Sequence, residues 1–493
     1  MNDLRLKVST AILNVAEGLS RFRKGLISDL QEIREQQQRW ALSAQEASKS
    51  PENSCIQLKT MTLTLIFEHE DFKSILKGLK NYFPKNNRIQ RFSDSLKKSA
   101  DSLHASSWHN LGFIAKEKGY YVPDVTIDKN LPDSVNSASI NFHRILPSLA
   151  CIIFEFHLND LLSKDLALIQ SKLHLGPVVF KKFIPLKRIP NGYTMGSSYE
   201  VSLTQINEQK DFLRDEILNW IRKGFKWKLN NKYSISFIDI YEVEGMPTLD
   251  TNRQKWLDEN KSWLGNYGIN LNNFNSLEGD KFFITMPEES KQKYTLSHIL
   301  TRFDLESQDN GRELFTYKIG AIAVSATILN TISKYSERIK KLRSLGFENL
   351  YKRTKLTKRT QENIQEIKRT LVILSRFEQE LINSKFFISS TMSEIGQLTS
   401  IRKNSVINFH SDIISKAKSR LKSIKDAANT IDAGLTNYLS TQNIYVMYKL
   451  QKWMFVLTFV VTIATIIGVL SGWDNLMKLY TSLELFLQAI VSP

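Results

Sequence analysis

Two cysteines in 493 residues, no proline between Pro287 and Pro493, and no run that spells a familiar catalytic motif are the first absences in this sequence. Cys55 and Cys151 stand far apart and in no CxxC pair, which excludes a disulfide framework or a zinc cage within one subunit. The body is therefore expected in a reducing cytosol. A Walker-type Gly-x-x-x-x-Gly-Lys, HExxH and GxSxG are all missing, so nothing here supports an enzyme, and no metal site or resident cofactor is expected. Two short runs come nearest to chemistry. Residues 68–71, Glu-His-Glu-Asp, offer metal-ligand types but read more simply as a solvated acidic helix start; residues 192–198 offer a phosphate-wrapping loop but read more simply as a turn. His104 and His109, beside Trp108, read as packing and surface residues.

The missing proline carries organisation. Proline breaks a helix interior at about 3 kcal/mol, so a proline-free stretch of some 200 residues is what long helices require. Before it, residues 148–159, 233–241 and 281–286 alternate or run apolar with β-branched and aromatic side chains, the pattern of strands, while 209–222 has helical spacing. The expected fold is an α/β or α+β cytosolic domain, then long helices forming a stalk, then a C-terminal transmembrane helix. Its divisions are an amphipathic N-terminal helix over 1–50 with no signal-peptide pattern, an α/β sensor domain over 51–290, a helical domain and stalk over 291–452, a span over 453–472, and a short amphipathic helix or second membrane segment over 473–493. Linkers are expected at 48–54, 130–139 and 265–280. The apolar run 319–330 is too short to span a bilayer and reads as a buried helix.

Residues 453–472 carry no charge over about 20 positions, which at 1.5 Å each covers the roughly 30 Å hydrocarbon core. Lys449 and Lys452 precede the span and Asp474 follows it, so the positive-inside rule puts the large N-terminal part in the cytoplasm, at the cell inner membrane. Thr458, Thr462 and Thr465 fall on one stripe that continues to Gly472, a candidate pore lining or helix interface. In 476–491, Lys478, Thr481, Ser482, Glu484 and Gln488 share one arc, the amphipathicity of an interfacial helix or of a second span with a buried charged face.

Upstream, Ile413, Ala417, Leu421, Ile424, Ala428, Ile431, Leu435 and Tyr438 recur at steps of four and three, a heptad seam. It fits a coiled-coil stalk between subunits of a homo-oligomer, and equally well packing against the chain's own helices. The formal charge of +17 implies an anionic partner, and thirteen Lys or Arg against four Glu lie between Lys318 and Arg369. Lys352, Arg353, Lys355, Lys358 and Arg359 are the candidate basic cluster, facing either a small anionic ligand or lipid headgroups.

The layout, and the approach YLSTQNIYVMYKLQKWMFVLT over 438–458, resemble the CorA-type magnesium transporter family. That family's Gly-Met-Asn signature is replaced by Gly472-Trp473-Asp474-Asn475, and no basic tail follows. The architecture is similar to divergent CorA-like membrane effectors found beside type III CRISPR systems. The resemblance implies a ligand-gated channel or membrane-disrupting effector of antiviral defence, activated by a nucleotide second messenger. Direct nucleic-acid binding is not favoured. The alternatives are a divalent-cation (magnesium) transporter with a degenerate signature, and a membrane-tethered binding protein with no pore.

Overall fold

The computed structural model of the protein describes residues 24–47, 49–51, 54–68, 71–83, 87–99, 107–117, 125–172, 174–175, 178–180, 193–195, 197–227, 235–247, 250–267, 269, 274–277, 283–285, 295–302, 308–351, 356–383, 388, 395–400 and 406–491. The strands are β1 Ile56–Glu68, β2 Ser107–Ala115, β3 Val125–Ile127, β4 Val135–Leu146, β5 Leu149–Leu158, β6 Val178–Phe180, β7 Tyr193–Met195, β8 Ile235–Val243, β9 Phe274–Leu277, β10 Phe283–Thr285, β11 Thr295–Arg302, β12 Gln397–Ser400 and β13 Val406–Asn408. The helices are α1 Lys24–Ala47, α2 Phe72–Tyr82, α3 Asn87–Ser99, α4 Asp160–Ser171, α5 Ser198–Phe225, α6 Asp250–Glu259, α7 Lys261–Asn266, α8 Gln308–Tyr351, α9 Leu356–Asn383 and α10 Phe409–Val491.

A mixed α/β sheet domain followed by a long C-terminal helix is the resulting architecture. Eleven strands pair in the order β13-β12-β9-β10-β11-β8-β1-β5-β4-β2-β3, with β8/β11 and β2/β3 parallel and the other pairs antiparallel. β1, the longest strand described, alternates over Met61–Leu65 and supplies two long ladders, to β5 and to β8, the latter shifted in register between Leu58 and Thr60. One face is apolar: Leu63, Leu65, Ile152, Phe154, Phe156, Phe142 and Phe237 join a core closed by α2 to α5. Burying each such side chain contributes about 1.5–3 kcal/mol. Gly78 lets α2 approach closely, since a Cβ there would collide with the Trp227 indole.

The other face carries α8. Lys318 through Ile332 is buried all round, the expected buried helix at 319–330. It lies against β4 at Gly320, whose added Cβ would sit 3.3 Å from His143 Cε1, and against β1, where Lys334 reaches Glu68 at 2.6 Å. Its Ser325, Thr327 and Thr331 hydroxyls donate to the Ile322, Ala323 and Thr327 carbonyls, so the helix meets its own hydroxyl needs.

Expected strands at 148–159, 233–241 and 281–286 match β5, β8 and β10. The expected linker at 130–139 instead holds the start of β4, because the Ser137 and Ser139 side chains that suggest a loop sit on a polar face of the sheet. The one at 265–280 holds the end of α7 and all of β9.

The chain divides into two compact units, Met1–Lys334 with Ser375–Leu421, and Tyr335–Leu374 with Lys422–Pro493. A boundary at 290 would cut the first, because β11, β12 and β13 complete its sheet. The second consists of helix. Tyr335, Ile339 and Leu342 of α8, Ile364, Ile367 and Leu374 of α9, and Ile424, Ala428 and Leu435 of α10 are buried at steps of three, four and seven, and Arg338 of α8 pairs with Glu366 of α9. Ile424→Ala should lower the stability of the single chain by about 2–5 kcal/mol in denaturant unfolding, whatever its state of association.

Candidate functional site

The membrane segment is built on α10, an unbroken helix of 83 residues, about 125 Å long at 1.5 Å per residue. No proline interrupts it, and its glycines, Gly434, Gly468 and Gly472, stand singly. It is the one helix among the described residues long and apolar enough to cross a membrane, and every residue from Gln451 to Ser471 is exposed. A soluble protein would hide such a stretch. The segment 476–491, expected as a separate helix or second span, continues the same rod with no turn at 472–475.

Thr458, Thr462 and Thr465 share the expected stripe, and Thr462 and Thr465 line a shallow groove with Val461, Ile466, Val469 and Leu470. Each hydroxyl donates to the carbonyl four residues back, Met454, Thr458 and Val461, at 2.8 Å. The stripe is therefore exposed with its hydroxyls already bonded within the helix. Gly472 ends it, with open space where a Cβ would stand. On the N-terminal approach, Lys449 Nζ lies 5.2 Å from the Tyr445 ring centre, a cation–aromatic contact suited to the interface.

The seam is occupied inside the single chain. Ile413, Ala417 and Leu421 in the first unit, and Ile424, Ala428 and Leu435 in the second, are buried without any partner subunit; Ile431 and Tyr438 are half-buried. Of the two packings that its spacing allows, the intramolecular one accounts for this burial. Of the basic cluster, Lys352, Arg353 and Lys355 lie outside the described residues, and Lys358 and Arg359 fall in the first turn of α9. Residues 69–70 of the acidic run are likewise outside, and its Glu68 is paired with Lys334. In 192–198, Tyr193–Met195 is strand β7 and Ser197 precedes α5 at the N-cap position, without a side-chain capping bond. No group of three or more His, Cys, Asp or Glu side chains suited to a metal comes together among the described residues.

Two polar sites in the sheet domain were not legible in advance. The first lies within the apolar core, where α5 and β8 bring Lys210, Arg214, Asp239 and Tyr241 together, all essentially inaccessible. Arg214 donates to Asp239 at 2.6 Å and to Asp211 at 2.7 Å; Lys210 donates to the Tyr241 hydroxyl at 3.1 Å and the Tyr267 carbonyl at 3.0 Å. Burial lowers the Lys210 pKa to about 8 even with Asp239 beside it. Burial also opposes the Arg214 charge, but the attraction and hydrogen bonds of Asp239 and Asp211 outweigh it and raise its pKa. Asp239 thus faces both buried cations, and Asp211 shares Arg214 with it.

The second site is the polar patch on the α8 side of the sheet. Glu155 is buried there, and its pKa is raised to about 7 by burial, partly offset by hydrogen bonds from Ser139 and Asn141. Further along β4 on the same face, His143, opposite Cys151, is lowered to about 4 by burial and by His109, so it is neutral at pH 7. Cys151 on the same face is pushed up to about 12 by burial, and Cys55 to about 11 chiefly by burial, so neither thiol is a nucleophile at neutral pH.

Comparison with protein-family models, with curated proteins and with solved structures finds no match.

Two outcomes follow from these sites. Asp239→Asn removes the carboxylate beside buried Lys210 and one of the two that pair with Arg214, and should cost about 3–5 kcal/mol in denaturant unfolding. For Glu155, folded and unfolded chains are both protonated at low pH, and between about pH 4.5 and 7 only the unfolded chain ionises. Stability relative to Glu155→Gln should therefore be greatest below pH 4.5 and fall as pH rises to 7, by about 3 kcal/mol in buffers free of metal salts.

Proposed function

We propose that this protein is a membrane-anchored sensor-effector. Its sheet domain receives a signal in the cytoplasm, and α10 carries that signal into a membrane span which, assembled with spans of other copies, conducts ions. The single observation that supports the reading is the composition of α10. One helix contributes its first residues, Phe409 to Leu421, to the sheet-bearing unit and ends as an exposed apolar segment of bilayer length. An anchor alone needs no such continuity, since any flexible linker would tether the domain. A helix without a break transmits rotation or displacement at its root to the span.

Assembly is assigned to the span. The seam already serves the chain's own packing, whereas the threonine stripe and the groove at Val461 to Leu470 face outward. Small polar residues at membrane depth allow close helix approach, with their hydroxyls still bonded to their own backbone. The trigger we assign is a small anionic ligand of the nucleotide class, drawn to a body of charge +17, as the CorA-like effectors of antiviral defence would require.

The test uses the purified protein in liposomes loaded with an ion-sensitive dye, with and without candidate nucleotides. Ligand-dependent leak is the expected result. Thr462→Leu should change the leak at least about threefold while insertion is unaffected, whereas Ile463→Leu should leave it as in the wild type. Leak that no ligand alters would favour a constitutive transporter, and no leak under any condition would leave only the tether.

A further inference from the structure

The sheet face that carries α8 is where an apolar layer is expected, yet around Glu155 it is made of oxygen. Antiparallel pairing fixes the arrangement. Ser139 of β4 and Thr62 of β1 stand directly opposite Glu155, one on each side. One step along the strands, Asn141 and Thr64 flank it at one end, both paired with Ile153, while Ser137 and Thr60 flank it at the other, both paired with His157. Side chains two apart on a strand share a face, so all of these surround the carboxyl. Glu155, Thr62, Thr64, Ser137 and Asn141 are buried, and Thr60, Ser139 and His157 are half-buried, which leaves the His157 end as the way in.

Among the described residues, the hydroxyls of Thr62, Thr64 and Ser137, and the Asn141 Oδ1, have no hydrogen-bond partner. Asn141 Nδ2 approaches Glu155 Oε1 at 3.5 Å, and the influences on the carboxyl are burial, Ser139 and Asn141, with no cationic side chain among them. Buried polar atoms are normally bonded, and a buried carboxylate is normally paired. Unpartnered oxygens around a carboxyl with no cation beside it, among the described residues, lack a positive centre that accepts no hydrogen bond and prefers oxygen.

We propose that Glu155, with the Thr62 and Ser139 hydroxyls and the Asn141 amide oxygen, binds a single monovalent metal cation of the sodium or potassium type. An all-oxygen donor set selects hard cations over zinc or copper. The single carboxylate decides the charge, because a divalent ion would leave one positive charge uncompensated in a buried setting, and magnesium also retains waters that need room. The reading is independent of the span and of any channel activity.

The experiment is thermal unfolding of the full-length protein in detergent at pH 8, followed by tryptophan fluorescence at constant ionic strength, with choline chloride replaced stepwise by sodium or potassium chloride. Magnesium and calcium chloride serve as comparisons. The expected result is a saturable rise in Tm of about 3 °C or more with sodium or potassium. Glu155→Gln should lose that rise, while Glu208→Gln, exposed on α5, should keep it. Thr62→Val, which removes one oxygen with little change of shape, should raise the half-saturating concentration at least about threefold, and it serves as the readout where Glu155→Gln fails to fold. No rise in the wild type, a rise with divalent ions alone, an undiminished rise in Glu155→Gln, or an unchanged half-saturation in Thr62→Val would overturn the proposal.

Discussion

β1 is held on both sides, by β5 from Thr60 to Glu68 and by β8 from Ile56 to Leu65, and these two ladders fix the register of the whole sheet. Because side chains on a strand alternate with a period of two, a slip of one residue would exchange the two faces. Met61, Leu63, Leu65 and Phe67 would then leave the core, and Thr62 and Thr64 would enter it. The apolar face makes that exchange expensive, and so the polar face is held in place by what lies behind it. Glu155 stays among hydroxyls because Phe154 and Phe156 on either side of it are locked into the core.

The same constraint explains how this domain tolerates buried polarity. On the core side, Lys210 and Arg214 are satisfied by Asp239, Asp211 and Tyr267, so charge is balanced within reach of hydrogen bonds. On the other side, α8 uses its own carbonyls for Ser325, Thr327 and Thr331, and Gly320 lets it lie close to His143 of β4. The threonines of the span use the same local device, which allows polar side chains at membrane depth without a fixed partner. Polarity balanced inside one helix imposes nothing on its neighbours, whereas the patch around Glu155 is balanced only in part, by Ser139 and Asn141, among the described residues.

Much of this was legible in the sequence, and for a physical reason. Hydrophobic length and periodicity are local properties, and they determined the apolar span of α10, the buried helix within α8, strands β5 and β8 and the long helices of the proline-free part, though not its strands β11, β12 and β13. β4 was hidden because Ser137, Ser139 and Asn141 imitate a loop when read along the chain, and nothing local says that they face the interior of a sheet. Which partner fills a heptad seam is not local either. Ile424, Ala428 and Leu435 have the same spacing whether they meet another subunit or α8 and α9, and only the folded chain shows them already buried. The sheet's completion by β12 and β13, about 150 residues beyond β8, and the meeting of Lys210 with Asp239 or of Glu155 with Thr62, arise from pairings between distant segments. Those pairings are chosen by the joint burial of many side chains, a quantity that exists only once the chain has closed on itself.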